Sequence, residues 1–537
     1  VQEGSGKFFL SWPEAWQAGV EMAGGKGWNL ARLVRYGFNV PAGGVLVVGA
    51  YQRFWEENNL REDTVDVGRY VTVDNAGAAE TEFKLSRLRE RIQGGRVAGP
   101  VQEELFAGLE AAGILDQPVA VRSSASAEDT PGTSFAGIHE SFLNVRGRDD
   151  ILSAVKGCYA SLWTSRAVAY RRKMKIADDA VLPAVVIMAM VEAVAAGVAF
   201  TCDPRTGRRD LVVISANFGL GESVVSGAVE PDEYRVNHLW EIAEVKVGRK
   251  EGRTVTQPEG GTGFVRAASP AGQVLSRPDI TRLGRLVLRV FDAFGCGEEH
   301  QDVEWVFDGN SFVVVQARPV TVLPRYTVPA LRNQPDIWSN ANFRDVIPMV
   351  QSTLGWSLIR IALEDMLFAV FRATGYRVPG GLRGVRLFGG RAYMNLSLQQ
   401  WLFYDSFGFS PRMTNEAIGG HQPEIDINEL RTGLGVRLAR SLDRYFYCRR
   451  GKRWLGGGRG SLRKLCSVRP CALPLRSGFH AADRLSLGGV REACYGAGTV
   501  FPRPGTSHGQ RSHGRRWRCN QRAAWVPHGG NGRHSAG

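Results

Sequence analysis

Paired cysteines are missing from this sequence. Its 537 residues contain eight cysteines and no CxxC pair, so a structural zinc site is not expected. Cys158, Cys202 and Cys296, scattered through the body, read as reduced core residues of a cytoplasmic protein. A long apolar run is missing too. The longest, 181–202, is interrupted by Pro183, Glu192 and Gly197 and is rich in valine, which fits two short buried strands around a turn better than a membrane helix. No basic segment followed by an apolar one opens the chain, so no secretory signal is expected. The body also lacks net charge. The formal balance is +14, but Cys448 to Gly537 holds 18 Lys+Arg against two acids, whereas the first 447 residues hold 49 basic and 51 acidic residues. That near-neutral body argues against membrane and nucleic-acid partners.

What is present is globular: 44% apolar and 22% charged residues, in a chain longer than one core usually serves. Two or three domains are expected. Gly24 to Gly44 reads as a glycine turn, a helix from Trp28 to Tyr36 and an exit into the strand Val45 to Val48. Helical patterns follow over 51–58, 82–115 and 149–175. Strands are expected near 119–122, 184–191, 197–201, 211–216 and 233–236, then in a last pair around Val303 and Val313. Helices mixed with a largely antiparallel late set of strands give an α+β protein. After a Pro-containing linker, the aromatic and Leu-rich stretch to about residue 445 reads as mainly helical. The tail from 448, rich in Arg, Gly, Trp, Cys and His, shows no sustained period. One expectation is the product of a shifted reading frame; the rival is a basic RNA-binding tail with interleaved tryptophans.

Three segments carry chemistry. Val121-Arg122-Ser123-Ser124 opens a run of small residues through Gly137, where backbone N–H groups and hydroxyls can approach phosphate oxygens while Arg122 supplies a cation at a strand end. Gly24-Gly25-Lys26-Gly27 places a lysine among glycines, without the GxxxxGK[ST] spacing of a P-loop. The third is a hairpin with arms Gln301 to Phe307 and Ser311 to Pro319. Asp302 and Glu304 share one face of the first arm, and Gln316 and Arg318 share one face of the second. Whether all four meet depends on parity: a three-residue loop, Asp308-Gly309-Asn310, sets Asp302 opposite Gln316 and Glu304 opposite Val314 on one face, whereas a two-residue loop separates the pairs. Oxygens of Glu304 and Gln316 suit Mg²⁺, which takes a few protein oxygens together with nucleotide phosphates.

In order along the chain, these segments resemble the nucleotide-binding part of the phosphoenolpyruvate synthase, pyruvate phosphate dikinase and rifampicin phosphotransferase family. The resemblance includes Phe142-Leu143-Asn144-Val145, Gly197-Val198-Ala199-Phe200-Thr201 with Asp203-Pro204, and Gly219-Leu220-Gly221-Glu222. It implies an ATP-grasp fold in two lobes, 1–190 and 191–325, followed by a mainly helical acceptor-type region over 326–447 and an irregular tail over 448–537. It also implies a phosphotransferase using ATP and Mg²⁺. Lys26 and Arg122 would contact ATP phosphates beneath a flap of Thr133, Ser134, Phe135, Ala136 and Gly137. Glu304 and Gln316 would face the metal, with Asp302 and Arg318 in the same site and Arg122, Arg318 and Asp302 in the catalytic set.

The segment Met188 to Glu192, including Met190, matches the family's adenine hinge, with methionine at 188 where glutamine is common. In the family a histidine on a swivelling domain relays the phosphate to a small acceptor such as pyruvate or an antibiotic. No such domain is evident here: His508 lacks the flanking glycines and following apolar helix the motif needs, and His421, in Gly419-Gly420-His421-Gln422-Pro423, has no apolar run after it either. Trp338-Ser339-Asn340-Ala341-Asn342-Phe343 and Thr353-Leu354-Gly355-Trp356-Ser357 resemble the rifampicin phosphotransferase domain order, so an antibiotic-inactivating enzyme and a pyruvate, water dikinase both remain open, beside a non-catalytic nucleotide-binding regulator.

Overall fold

The computed structural model of the chain describes residues 7–125, 140–266, 272–419 and 422–427. Alternation along two strands decides where the cores lie. On β3 (Val119–Ala125) and β5 (Pro183–Ala189), Val119, Val121, Val185 and Ile187 face one core while Ala120, Ala184, Val186 and Met188 face another. Both strands belong to an antiparallel sheet that also contains β1 (Phe9–Ser11), β2 (Gly43–Leu46) and β4 (Ser141–Val145), in the order β1-β2-β5-β3-β4. The first core is closed by α3 (Val48–Glu57), α4 (Arg61–Tyr70), α5 (Ala79–Gly94), α6 (Gly99–Ala111), α7 (Arg148–Ser161) and α8 (Ser165–Met174).

The second core lies between that sheet, α1 (Trp12–Ala18) and α2 (Val20–Arg35), and a second antiparallel sheet. The latter is built from β6 (Ala195–Phe200), β7 (Leu211–Phe218), β8 (Asp232–Asn237), β9 (Ile242–Lys246), β12 (Gln301–Phe307) and β13 (Phe312–Pro319), in the order β13-β12-β6-β7-β8-β9. A short α9 (Glu222–Val225) follows β7, and β10 (Gly252–Thr256) and β11 (Thr262–Arg266) form a separate hairpin. The apolar run 181–202 thus becomes β5 and β6 in different sheets, joined by residues 190–194.

Helix α10 (Arg277–Gly295) places Ile280, Leu283, Val287, Val290 and Phe294 on the second core. Ser276 caps it by accepting from Asp279 N at 3.3 Å, and Cys296 ends it in a left-handed conformation. Each of these buried aliphatic residues contributes about 1.5–3 kcal/mol. The expected elements include neither this helix, although its apolar spacing at 280, 283, 287, 290 and 294 is helical, nor α4 and β9 to β11. The helical pattern over 149–175 breaks where Thr164 starts α8, accepting from Ala167 N at 3.3 Å.

Residues 326–427 add a small sheet to their helices, which the mainly helical expectation does not include. Strands β14 (Trp338–Ser339), β15 (Val385–Phe388) and β16 (Arg391–Asn395) form a sheet in the order β14-β16-β15, packed with α11 (Phe343–Val346), α12 (Thr353–Ala373), α13 (Leu396–Phe407) and α14 (Pro411–Ile418). The β15–β16 hairpin turns on Gly389 and Gly390, at φ 56° and 75°, which only glycine adopts readily. Its arms are too short to establish a period-2 pattern. The expected tail 448–537, His421 and His508 lie outside the described residues, among which no helix is long and apolar enough to cross a membrane.

Candidate functional site

The glycine motif near the N-terminus is a point of close approach between a helix and a strand. Helix α2 is interrupted at Gly24 (φ 68°, ψ 171°), where a Cβ would lie 2.0 Å from the Ser124 carbonyl oxygen. Ser124 Oγ donates to Ala23 O and accepts from Gly27 N, both at 3.0 Å, which fastens the helix to β3. The expected helix start at Trp28 is therefore too late. Held this way, Lys26 donates from Nζ to Ser123 O at 3.0 Å beside the end of β3.

Arg122 projects from the same face of β3 as Ala120 and Ser124 and spans the gap between the sheets. Its Nη2 donates to Glu304 Oε2 at 2.7 Å, its Nη1 to Val315 O at 3.3 Å and its Nε to Ser141 Oγ at 3.5 Å. The two partners in the second sheet depend on a bulge. Phe307 pairs with Phe312, so the loop has four residues rather than three, and a regular ladder would leave the polar pairs on opposite faces. A register shift between Glu304 and Trp305 inserts Val315 as an extra residue. Glu304 then pairs with Gln316 and Asp302 with Arg318, replacing the expected pairings of Asp302 with Gln316 and Glu304 with Val314. The bulged Val315 also turns its carbonyl to Arg122.

Opposed carboxyl shifts follow from this layout. Burial favours the neutral form of Glu304, but Arg122, with Arg318 and Lys26 behind it, outweighs burial and holds the carboxyl below its ordinary value. Burial raises Asp302, and Arg318, bound at 2.8 and 2.9 Å through Oδ2, only partly offsets this. Asp302 Oδ1 and Gln316 Oε1 are buried acceptors with no hydrogen-bond partner among the described residues. Each such orphan costs about 1–3 kcal/mol, so a cation able to use both oxygens would relieve strain already present. Glu304 Oε1 makes no hydrogen bond among the described residues.

A cleft of about 580 Å³ opens between the sheets beside this cluster. Arg122 and Glu304 line its polar end; Leu143, Ala196, Leu220 and Trp305 supply apolar wall. Met188 and Met190 line it, while Glu192 is exposed and lies outside the lining. Met190 N donates to Pro118 O at 2.9 Å, but the backbone groups of Val191 and Glu192 have no backbone partner among the described residues. Lys26, Asp302, Gln316 and Arg318 sit around Glu304 rather than on the cleft wall. Thr133, Ser134, Phe135, Ala136 and Gly137 lie outside the described residues. Ser141, Arg166 and Glu222 also line the cleft and were not expected. Arg166 and Ser141 carry no local motif; Glu222 closes the Gly219-Leu220-Gly221-Glu222 segment, where its placement beside glycines was the available signal.

A sequence profile described as "Pyruvate phosphate dikinase, AMP/ATP-binding domain" matches residues 20–335. A protein named "Probable phosphoenolpyruvate synthase" from Pyrococcus horikoshii is 32% identical over 367 residues, covering 59% of this chain and 44% of that protein. Another of that name from Methanocaldococcus jannaschii is 34% identical over 331 residues, covering 60% of this chain and 27% of its own length. A "Rifampicin phosphotransferase" from Streptomyces sviceus is 36% identical over 336 residues, covering 61% of this chain and 37% of that protein. The matched region thus spans less than half the length of these curated relatives. With the glycine approach, the bridging arginine and the bulged acidic hairpin all inside the matched residues, the chain belongs to the pyruvate phosphate dikinase AMP/ATP-binding domain family.

Proposed function

We propose that the cleft between the two sheets binds Mg-ATP and that the chain is the phosphoryl-donating part of a phosphotransferase with an ATP-grasp arrangement. In this reading residues 1–190 form the lobe that carries Lys26 and Arg122, and residues 191–325 form the lobe that carries the acidic hairpin. The observation that carries it is the reach of Arg122 across the cleft to Glu304, next to the partnerless Gln316 Oε1. Phosphoryl transfer demands positioning and charge neutralisation above all, and this cluster offers fixed cations, Arg122 and Lys26 on the first side and Arg318 on the hairpin, next to hard oxygen donors on the hairpin.

The donor set fits a hard cation: Glu304 and Gln316 would hold Mg²⁺ with Asp302 close by. Bound there with the nucleotide, the ion would neutralise charge on the phosphate oxygens. Lys26, Arg122 and Arg318 would orient the phosphate oxygens. The apolar wall with Met188 and Met190 would take the base, leaving the open backbone groups of Val191 and Glu192 at its edge. The phosphate acceptor would be a histidine outside the described residues, relaying to pyruvate or to an antibiotic-like molecule. This last step is supported by the names of the relatives, of which pyruvate and rifampicin are the implied substrates.

Calorimetric titration with Mg-ATP tests the reading. Saturable binding is expected, at least about tenfold weaker in Glu304→Gln and Gln316→Ala, since each variant removes an oxygen donor. Equal affinity in wild type and both variants would remove the hairpin from the site.

A further inference from the structure

A second cavity, of about 680 Å³, lies on the far side of α10, between the second sheet and α12. A latch at the C-terminal end of α10 forms one side of it. Gly297 O accepts from Arg360 Nη1 at 2.7 Å and from Arg383 Nη2 at 3.3 Å. Glu298 accepts from Trp356 Nε1 with one oxygen and pairs with Arg383 through the other. Two guanidinium groups are thereby drawn to the negative end of a helix and anchored at the cavity wall.

Arg209, from the loop before β7, enters the same cavity without such an arrangement. It makes no hydrogen bond or ion pair among the described residues. None of the acids around it pairs with it among the described residues, although Glu298 acts on it at longer range. Asp210 is held by Arg208 at 2.6 and 2.9 Å, and Asp365 by Arg372 at 3.0 Å. Asp292 and Glu364 are pushed by burial toward their neutral forms. Burial and then the neighbouring Arg383 and Arg386 bring Arg209 down to about 10. A guanidinium half out of water, facing other cations across an open space, lacks a negative partner that the fold does not supply. The rest of the wall is apolar, with Leu288, Phe291 and Leu382, and Glu364 Oε1 is a second buried atom without a partner.

We propose that this cavity is a binding site for a small organic oxyanion, a phosphate ester or a carboxylate, gripped by Arg209 with Arg360 and Arg383. Apolar walls and the unpartnered Glu364 oxygen suit a ligand with a carbon body and a hydrogen-bonding group beside its anionic end. The site lies apart from the cleft that carries Arg122 and Glu304, so it is a second site rather than part of the nucleotide's.

Calorimetry and thermal-shift titration of the full chain with inorganic phosphate and with succinate test the proposal. At least one is expected to bind and raise the melting temperature. Phosphate alone points to phosphate esters, and succinate alone to carboxylates. In Arg209→Ala that binding should weaken about tenfold or more, as loss of a charge-assisted contact requires. The ligand-free variant should melt no lower than wild type, because Arg209 has no partner to lose. Neither anion binding to the wild type, affinity unchanged by Arg209→Ala, or a clear fall in the ligand-free melting temperature would each overturn the assignment. Mg-ATP affinity of the same variant, expected to match wild type, separates this site from the nucleotide cleft.

Discussion

The two cavities handle buried arginine in opposite ways. In the cleft between the sheets, Arg122 and Arg318 each meet a carboxylate, because strand pairing and one bulge bring Glu304 and Asp302 to their height. In the cavity beside α12, Arg383 pairs with Glu298, whereas Arg209 forms no ion pair among the described residues. A strand ladder aligns side chains in fixed steps, which sets Asp302 against Arg318, and the bulge on the same hairpin presents Glu304 to Arg122 across the gap. Loops and helix ends impose no such matching, and a charge can remain uncompensated until a ligand arrives.

The largest expected effect comes from breaking the better pair. Arg122→Ala leaves Glu304 in a half-buried site without its main counter-charge and should cost about 3–5 kcal/mol in urea denaturation. Arg122→Met combined with Glu304→Leu should recover much of that loss; no recovery would mean that Arg122 stabilises through its bonds to Val315 and Ser141 instead.

Acid sharpens the contrast next. His238, on the wall of the second cavity, is lowered by burial, with Arg360 adding to it, to about 4. The unfolded chain therefore takes up a proton first as pH falls from about 6.5, and stability drops by up to about 3 kcal/mol on the way to the folded value. His238→Phe should remove about one proton's share of that slope when unfolding is followed between neutral pH and about 5, leaving the share of His300, which burial also lowers. The carboxyls beside the cleft act in opposite directions. The depressed Glu304 loses its contribution as pH falls through its folded value, whereas the raised Asp302 adds stability on acidification.

Gly24→Ala should follow, losing about 2 kcal/mol, since a Cβ at φ 68° is strained and meets the Ser124 carbonyl. Gly77→Ala, with open space at its Cβ, is the control and should melt as wild type does. The smallest stability effect is that of Arg209→Ala in the ligand-free chain, near zero or slightly positive.

Much of the residue cluster beside the cleft between the sheets is marked in the sequence. The Arg-Ser-Ser strand end, the Asp-x-Glu arm and the Gln-x-Arg arm mark themselves because strand periodicity decides which side chains share a face. The pairing of those arms was not readable: the four-residue loop and the bulge at Val315 cancel in parity, and each depends on contacts with β6 and α2 beyond the hairpin. Glu192 shows the same limit, since the 190–194 link has no period and its exposure follows from where the two sheets leave it. In residues 326–427 the short β15 and β16 gave no usable alternation between their aromatic and basic residues, so the small sheet was not legible.

Local chemistry therefore settled the α+β class, the near-neutral body and the family motifs, all of which depend on residue type and short-range spacing. Tertiary packing alone decided that Gly24 is a contact with Ser124, that Arg122 bridges two sheets and that Arg209 is left without a carboxylate. Those outcomes depend on residues tens to hundreds of positions apart meeting at distances of a few ångströms, and no periodicity within a segment encodes such meetings.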